Sequence, residues 1–176
     1  MYLGGCGATT ACDFCIQQAL YAGRKNLVPF PTGGLSRREY VRFGMQMKPF
    51  LKPRWMGINS TGLFIDGFGE YLQSVGETGY AMHALSGEQP VEVAAAAVRD
   101  RIDAGIPVPV LTLHHKDPKL KDLVWHWYPV VGYRGEEDFE VKIITYGEAF
   151  WLSLPRLWDT GYEERGGIVL IRRAGE

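Results

Sequence analysis

The sequence predicts an α+β fold, with a helical N-terminal half packed on an antiparallel sheet built from the C-terminal half. Three observations predict it. Up to about Gly105, apolar residues recur at helical spacing between glycine and proline breaks. Beyond that point the runs shorten and fill with β-branched and aromatic residues. No repeat, low-complexity tract or long polar linker divides the 176 residues, so a single domain over 1–176 is expected.

Each element has its own signals. Thr9 to Ala22 carries few helix breakers and reads as a helix, with Gly4-Gly5 before it and Gly23 after it. Pro29 to Gly34 reads as a loop. Ser36-Arg37-Arg38-Glu39 is a capping-box pattern, so a helix is predicted to start there and to end by Pro49 or Pro53. Asn59-Ser60-Thr61-Gly62 opens a further stretch in which Leu63, Ile65, Phe68, Tyr71, Leu72 and Val75 keep a helical period. Pro90 suits the first turn of the next helix, where a missing N–H costs nothing, and Gly105 suits its end. Strands are predicted at Val108–His114, Trp125–Tyr133, Phe139–Thr145 and Ile168–Arg172. Arg134 to Asp138 makes a hairpin turn between the second and third of these. Ser153 to Trp158 reads as a short helix or turn.

Composition narrows the function classes. The chain is 46% hydrophobic and 22% charged, enough apolar material for a core without staples. Its formal net charge of -1 gives no general attraction to nucleic acid or anionic membrane. No apolar run is long enough to span a membrane, and the N-terminus shows no basic region followed by an apolar stretch, so neither an anchor nor a signal peptide is expected. Cys6, Cys12 and Cys15 are odd in number and crowd one end, which is not a disulfide framework. Reduced thiols in a cytoplasmic protein are the simpler expectation.

Cys6 carries the chemistry. Gly4-Gly5-Cys6-Gly7-Ala8-Thr9-Thr10 puts a thiol where a helix begins, facing unpaired N–H groups and the positive end of the dipole. Glycines on both sides leave room for a substrate backbone. A buried Cys in a tight turn would show the same residues. Far downstream, Trp125-His126-Trp127-Tyr128-Pro129-Val130-Val131-Gly132-Tyr133 mounts a histidine at the start of an apolar strand, a rigid place for a general base.

The order of these two segments resembles the papain-like cysteine peptidases, and more closely the bacterial branch that includes the double-glycine leader peptidases. Cys6-Gly7-Ala8-Thr9 is similar to that branch's Cys-Gly-Pro-Thr motif, with Ala8 in place of proline. His126 to Tyr133 is similar to its His-strand ending in Gly-Tyr. Thr145-Tyr146-Gly147, with Leu152-Ser153 and Trp158, resembles the segment after its third catalytic residue. The resemblance covers both ends of the chain and not the middle, about Pro29 to Pro90. It implies a papain-like fold, a cysteine peptidase or related thiol amidohydrolase or acyltransferase, and a peptide or amide substrate, with no cofactor. Cys6 would be the nucleophile, its N–H would help bind the oxyanion, and His126 would pair with the thiolate and protonate the leaving amine. The family's orienting Asp or Asn has no counterpart in Ile143-Ile144-Thr145-Tyr146-Gly147; Thr145 is the candidate in its place and Glu148 the second. The family's oxyanion-hole Gln has no counterpart in Met1 to Gly5. A catalytically inactive papain-like domain that binds a peptide or protein partner is therefore the alternative.

Other features invite plainer readings. Cys12-x-x-Cys15 has metal-like spacing but no second pair; on a helix the two share a face and serve packing. A redox role would want a βαβ context that is missing. His114-His115 with Asp117 reads as a solvated loop, and His83 has no partner visible in sequence. The five tryptophans, Trp55 among them, read mostly as core, and Met45 and Met47 as packing. Asn59-Ser60-Thr61 fits a glycosylation acceptor but lacks a secretory context.

Overall fold

A computed structural model describes residues 5–52 and 57–175. Met1, Gly4, Pro53 and Trp55, named above, lie outside these residues.

The molecule is α+β, with helices on both faces of a six-stranded antiparallel sheet. Helix α1 (Cys6–Tyr21) begins at Cys6, three residues ahead of the predicted start. Helix α2 (Arg37–Met47) opens on the predicted capping box. Ser36 Oγ accepts from the Glu39 N–H, and the Glu39 carboxylate accepts from the Ser36 N–H. Helix α3 (Thr61–Ser74) is capped by Ser60, and α4 (Val91–Asp103) comes after Pro90, ending where Gly105 turns to φ 71°. The predicted strands are β2 (Val108–Thr112), β3 (His126–Arg134), β4 (Glu140–Thr145) and β6 (Gly166–Arg173). The short helix α5 (Leu154–Trp158) is capped by Ser153.

Two strands were not foreseen: β1 (Tyr80–Ser86) and β5 (Glu148–Ser153). The sheet order β1-β6-β2-β3-β4-β5 makes them its two edges. Neither has a buried residue, and the short apolar run of β5, Ala149-Phe150-Trp151-Leu152, leads straight into the Ser153–Trp158 segment that reads as a helix or turn. Since β1 lies between α3 and α4, the helical and sheet halves are not fully separate in sequence.

The sheet has two buried faces because its central strands alternate large apolar residues. Leu111 and Trp127 are register partners facing α1 and α3, while Val110 and Tyr128, the next pair, lie with α4 and α5. Trp127 anchors the first face. Its ring stacks on Phe64 of α3 at 4.5 Å, and its Nε1–H donates to the Ile58 carbonyl at 2.5 Å. Helix α1 buries Ala11, Cys12, Phe14 and Cys15 in the same layer, which fixes its first turn near the start of β3. Among the described residues no helix is long and apolar enough to cross a membrane.

Candidate active site

Cys6 is the first residue of α1. Its N-cap is Gly5, which offers no side chain to the helix N–H groups. The first helical bond runs from the Thr9 N–H to the Gly5 carbonyl at 3.0 Å, so the N–H groups of Cys6, Gly7 and Ala8 lack partners inside the helix. The Thr9 hydroxyl donates to the same carbonyl at 3.0 Å. All three cysteines are free thiols, but their surroundings differ. Cys6 is partly exposed. Cys12 and Cys15 are sealed in the core, where burial pushes both thiols well above their ordinary range. These two are packing residues, and Cys6 is the thiol that a reagent can reach.

His126 opens β3. Trp125, just before it, sits at φ 53°, a left-handed conformation rare for a bulky residue, and brings the chain into the strand. The ring nitrogen Nε2 lies 2.6 Å from Thr145 Oγ1. One ring face is covered by Tyr146, stacked at 4.8 Å and nearly parallel. Burial lowers the imidazole below its ordinary pKa, which favours the neutral ring. Thr145 ends β4 and Glu148 begins β5. Between them Tyr146 (φ 54°) and Gly147 (φ 80°) form a two-residue hairpin turn with both residues left-handed. Glu148 is exposed and makes no hydrogen bond to His126, so Thr145 is the residue that meets the ring.

Cys6, His126, Thr145 and Tyr146 border one cavity of about 260 Å³. No hydrogen bond joins the Cys6 sulfur to His126, and among the described residues the Nδ1 atom of His126 takes none. Trp127 turns toward α1, whereas His126 stays on the side of Tyr128, its ring 5.9 Å from that phenol ring. His126 reaches the cavity from the end of its strand.

No family model, curated protein or solved structure matches this chain.

Three further residues of the cavity are not picked out by the sequence motifs. Tyr146 stands in the Thr145-Tyr146-Gly147 segment without a role of its own, and Asp13 and Tyr40 belong to no motif. The Tyr40 hydroxyl donates to Asp13 Oδ1 at 2.7 Å, and both side chains border the cavity. Burial raises the Asp13 carboxyl to about 6, although the Tyr40 hydrogen bond pulls the other way. A signal did exist, because Asp13 is the only charged residue in α1 and sits seven residues after Cys6, on the same face.

Elsewhere, the His114–Asp117 loop is ordered by its own bonds. His115 Nδ1 accepts from the Asp117 N–H at 3.0 Å, and Nε2 faces the Arg156 carbonyl at 3.0 Å. Asp117 also pairs with Arg156. His83 is exposed on the edge strand β1. Among the described residues no group of three metal-ligating side chains converges.

Proposed function

We propose that this chain is a papain-like thiol hydrolase or acyl-transferring enzyme acting on a peptide or related amide. Cys6 is its nucleophile, His126 its base and Thr145 the residue that orients the base. The observation carrying this reading is the shared cavity: an accessible thiol on an uncapped helix start, lining the same cavity as an imidazole whose Nε2 is already held. With Nε2 bonded to Thr145, the free Nδ1 is the atom that accepts the thiol proton. The thiolate then attacks the substrate carbonyl, and the N–H groups at the start of α1 receive the oxyanion. The C–N bond breaks, the amine leaves with the proton from His126, and water or an acceptor amine resolves the thioester. The neutral imidazole supports this order of events, since only an unprotonated ring can take the proton. Catalytic hydrogen bonds that are open in a free enzyme commonly close in its substrate complex.

Iodoacetamide at pH 7 tests the reading. Cys6 is expected to react at least about a hundredfold faster than Cys12 or Cys15, which must be exposed by local unfolding first. Equal rates at the three thiols would end it. Two observations favour a second reading, an inactive domain that binds a peptide: the missing Cys6–His126 hydrogen bond, and a neutral hydroxyl as the ring's partner. Peptide turnover abolished by Cys6→Ala excludes that reading. Peptide binding unchanged by Cys6→Ala, without turnover in either protein, supports it.

A further inference from the structure

Among the described residues, only one of the two Asp13 carboxylate oxygens takes a hydrogen bond. Oδ1 accepts from Tyr40, while among the described residues Oδ2 takes no hydrogen bond and no Lys or Arg pairs with the group. No buried side-chain oxygen among these residues is left without a partner, so Oδ2 is not sealed in the core, and Asp13 borders the cavity. A carboxylate in a partly desolvated site is costly unless something positive meets it. Among the described residues the partner position is open.

Its place along α1 says what could arrive there. Cys6 and Asp13 share one face, and seven residues of helix separate them by about 10 Å. An extended peptide covers that distance in about three residues. Asp13, Pro129 and Ile144 also border a second cleft of about 240 Å³, which continues along α1 to the exposed side chains of Leu20 and Tyr21. A chain bound at Cys6 and running along the helix would pass Asp13 before entering an apolar stretch.

We infer that Asp13, held by Tyr40, is a specificity residue that binds a cationic group of the substrate, a lysine or arginine side chain or an amine, within about three residues of the bond that Cys6 attacks. The inference rests on the thiol-enzyme reading for the identity of that bond and on the cavity alone for the cation. An acidic group is repelled from the same position, and a neutral aliphatic one leaves the carboxylate desolvated and unpaired.

Two measurements separate these parts. The first compares Cys6 alkylation by guanidinobutyl iodoacetamide and by its neutral pentyl counterpart. The cationic reagent is expected to be faster by about tenfold or more, and Asp13→Asn to bring the ratio close to one. The second titrates butylguanidinium into Cys6→Ala protein by calorimetry, with Cys6→Ala/Asp13→Asn as the comparison; binding is expected only where Asp13 is present. Unreactive Cys6 together with Asp13-dependent guanidinium binding would remove the enzyme reading and keep the cation site. Reactive Cys6 with no cation preference, or a preference that survives Asp13→Asn, would overturn the cation site and leave the enzyme reading intact.

Discussion

Thr145 holds His126 with a hydroxyl, and a hydroxyl both donates and accepts. A carboxylate or amide carbonyl at that place would only accept, which fixes the proton on Nε2 and leaves Nδ1 bare as the base. Thr145 leaves both tautomers open, and one of them carries its proton on Nδ1, the nitrogen that the proposed mechanism needs bare. Thr145→Asn is therefore expected to raise the rate of Cys6 alkylation a few-fold. Thr145→Val should lower it about tenfold and cost about 1–2 kcal/mol of stability by leaving a buried ring nitrogen unpaired. If the Asn protein reacts more slowly than the Val protein, Thr145 is not the orienting residue. Asp13 makes a separate prediction. Its folded pKa lies above its ordinary value, at about 6, so the folded state holds the proton more tightly than the unfolded chain. Stability then falls as pH rises from about 4 to about 6, and the loss is complete above that range. The groups that bear on this carboxyl are Tyr40 from α2 and Cys12 and Cys15 on its own helix. Asp13→Asn is expected to stabilise the protein at pH 7.5 by on the order of 2 kcal/mol and by almost nothing at pH 4, as read by urea denaturation. A variant no more stable than wild type at pH 7.5 would show that the carboxyl is not held against its charge.

The β4–β5 hairpin turn is the element that shapes the surroundings of His126. It puts Thr145 at the ring edge and Tyr146 over the ring face, and it does so with a tyrosine in a left-handed conformation. Tyr146 is 58% exposed, so its ring is held mainly by the His126 stack and by a hydrogen bond from its hydroxyl to the Asp122 carbonyl at 3.0 Å. A turn of this kind prefers asparagine or glycine at that position, so the tyrosine is there for what it covers. Tyr146→Asn keeps the turn and removes the cover. The His126 pKa, tracked by NMR of the imidazole protons, is expected to rise toward 6.5, because desolvation is what lowers it. An unchanged titration would mean that burial by β3 and β4, and not Tyr146, keeps the ring neutral. At this scale the sequence spoke unevenly. The Ser36–Glu39 capping box announced α2 because both partners are local. The edge strands β1 and β5 did not announce themselves, since half-exposed strands need no apolar run and owe their existence to a neighbour elsewhere in the sheet.

The whole molecule depends on long-range strand pairing. Strand β6 comes last in the chain yet lies between β1 and β2, with Ile168, Val169 and Ile171 fully buried. Each such side chain contributes about 1.5–3 kcal/mol on burial, and a domain of this size holds only about 5–15 kcal/mol in total. A chain ending at Arg165 is expected to lose cooperative unfolding and its near-UV circular dichroism, because it also strands β1 at an open edge. Retained cooperativity would place the folding unit in β2 to β5 with their helices.

Local signals in the sequence determined the helices, the four interior strand segments and the placement of Cys6 and His126, the two residues on which the proposed chemistry turns. Cys6 stands at a helix start because glycines precede it, and His126 on a strand because β-branched and aromatic residues come after it. The tertiary structure alone decided what surrounds them. It chose Thr145 over Glu148 as the ring's partner, laid Tyr146 over the ring, and brought Tyr40 to Asp13 across 27 residues of chain. It also left the thiol and the imidazole sharing a cavity without a bond. Helix propensity and strand periodicity are properties of neighbouring residues. The partner of a side chain depends on which face of the sheet it occupies and on what the rest of the chain packs against that face.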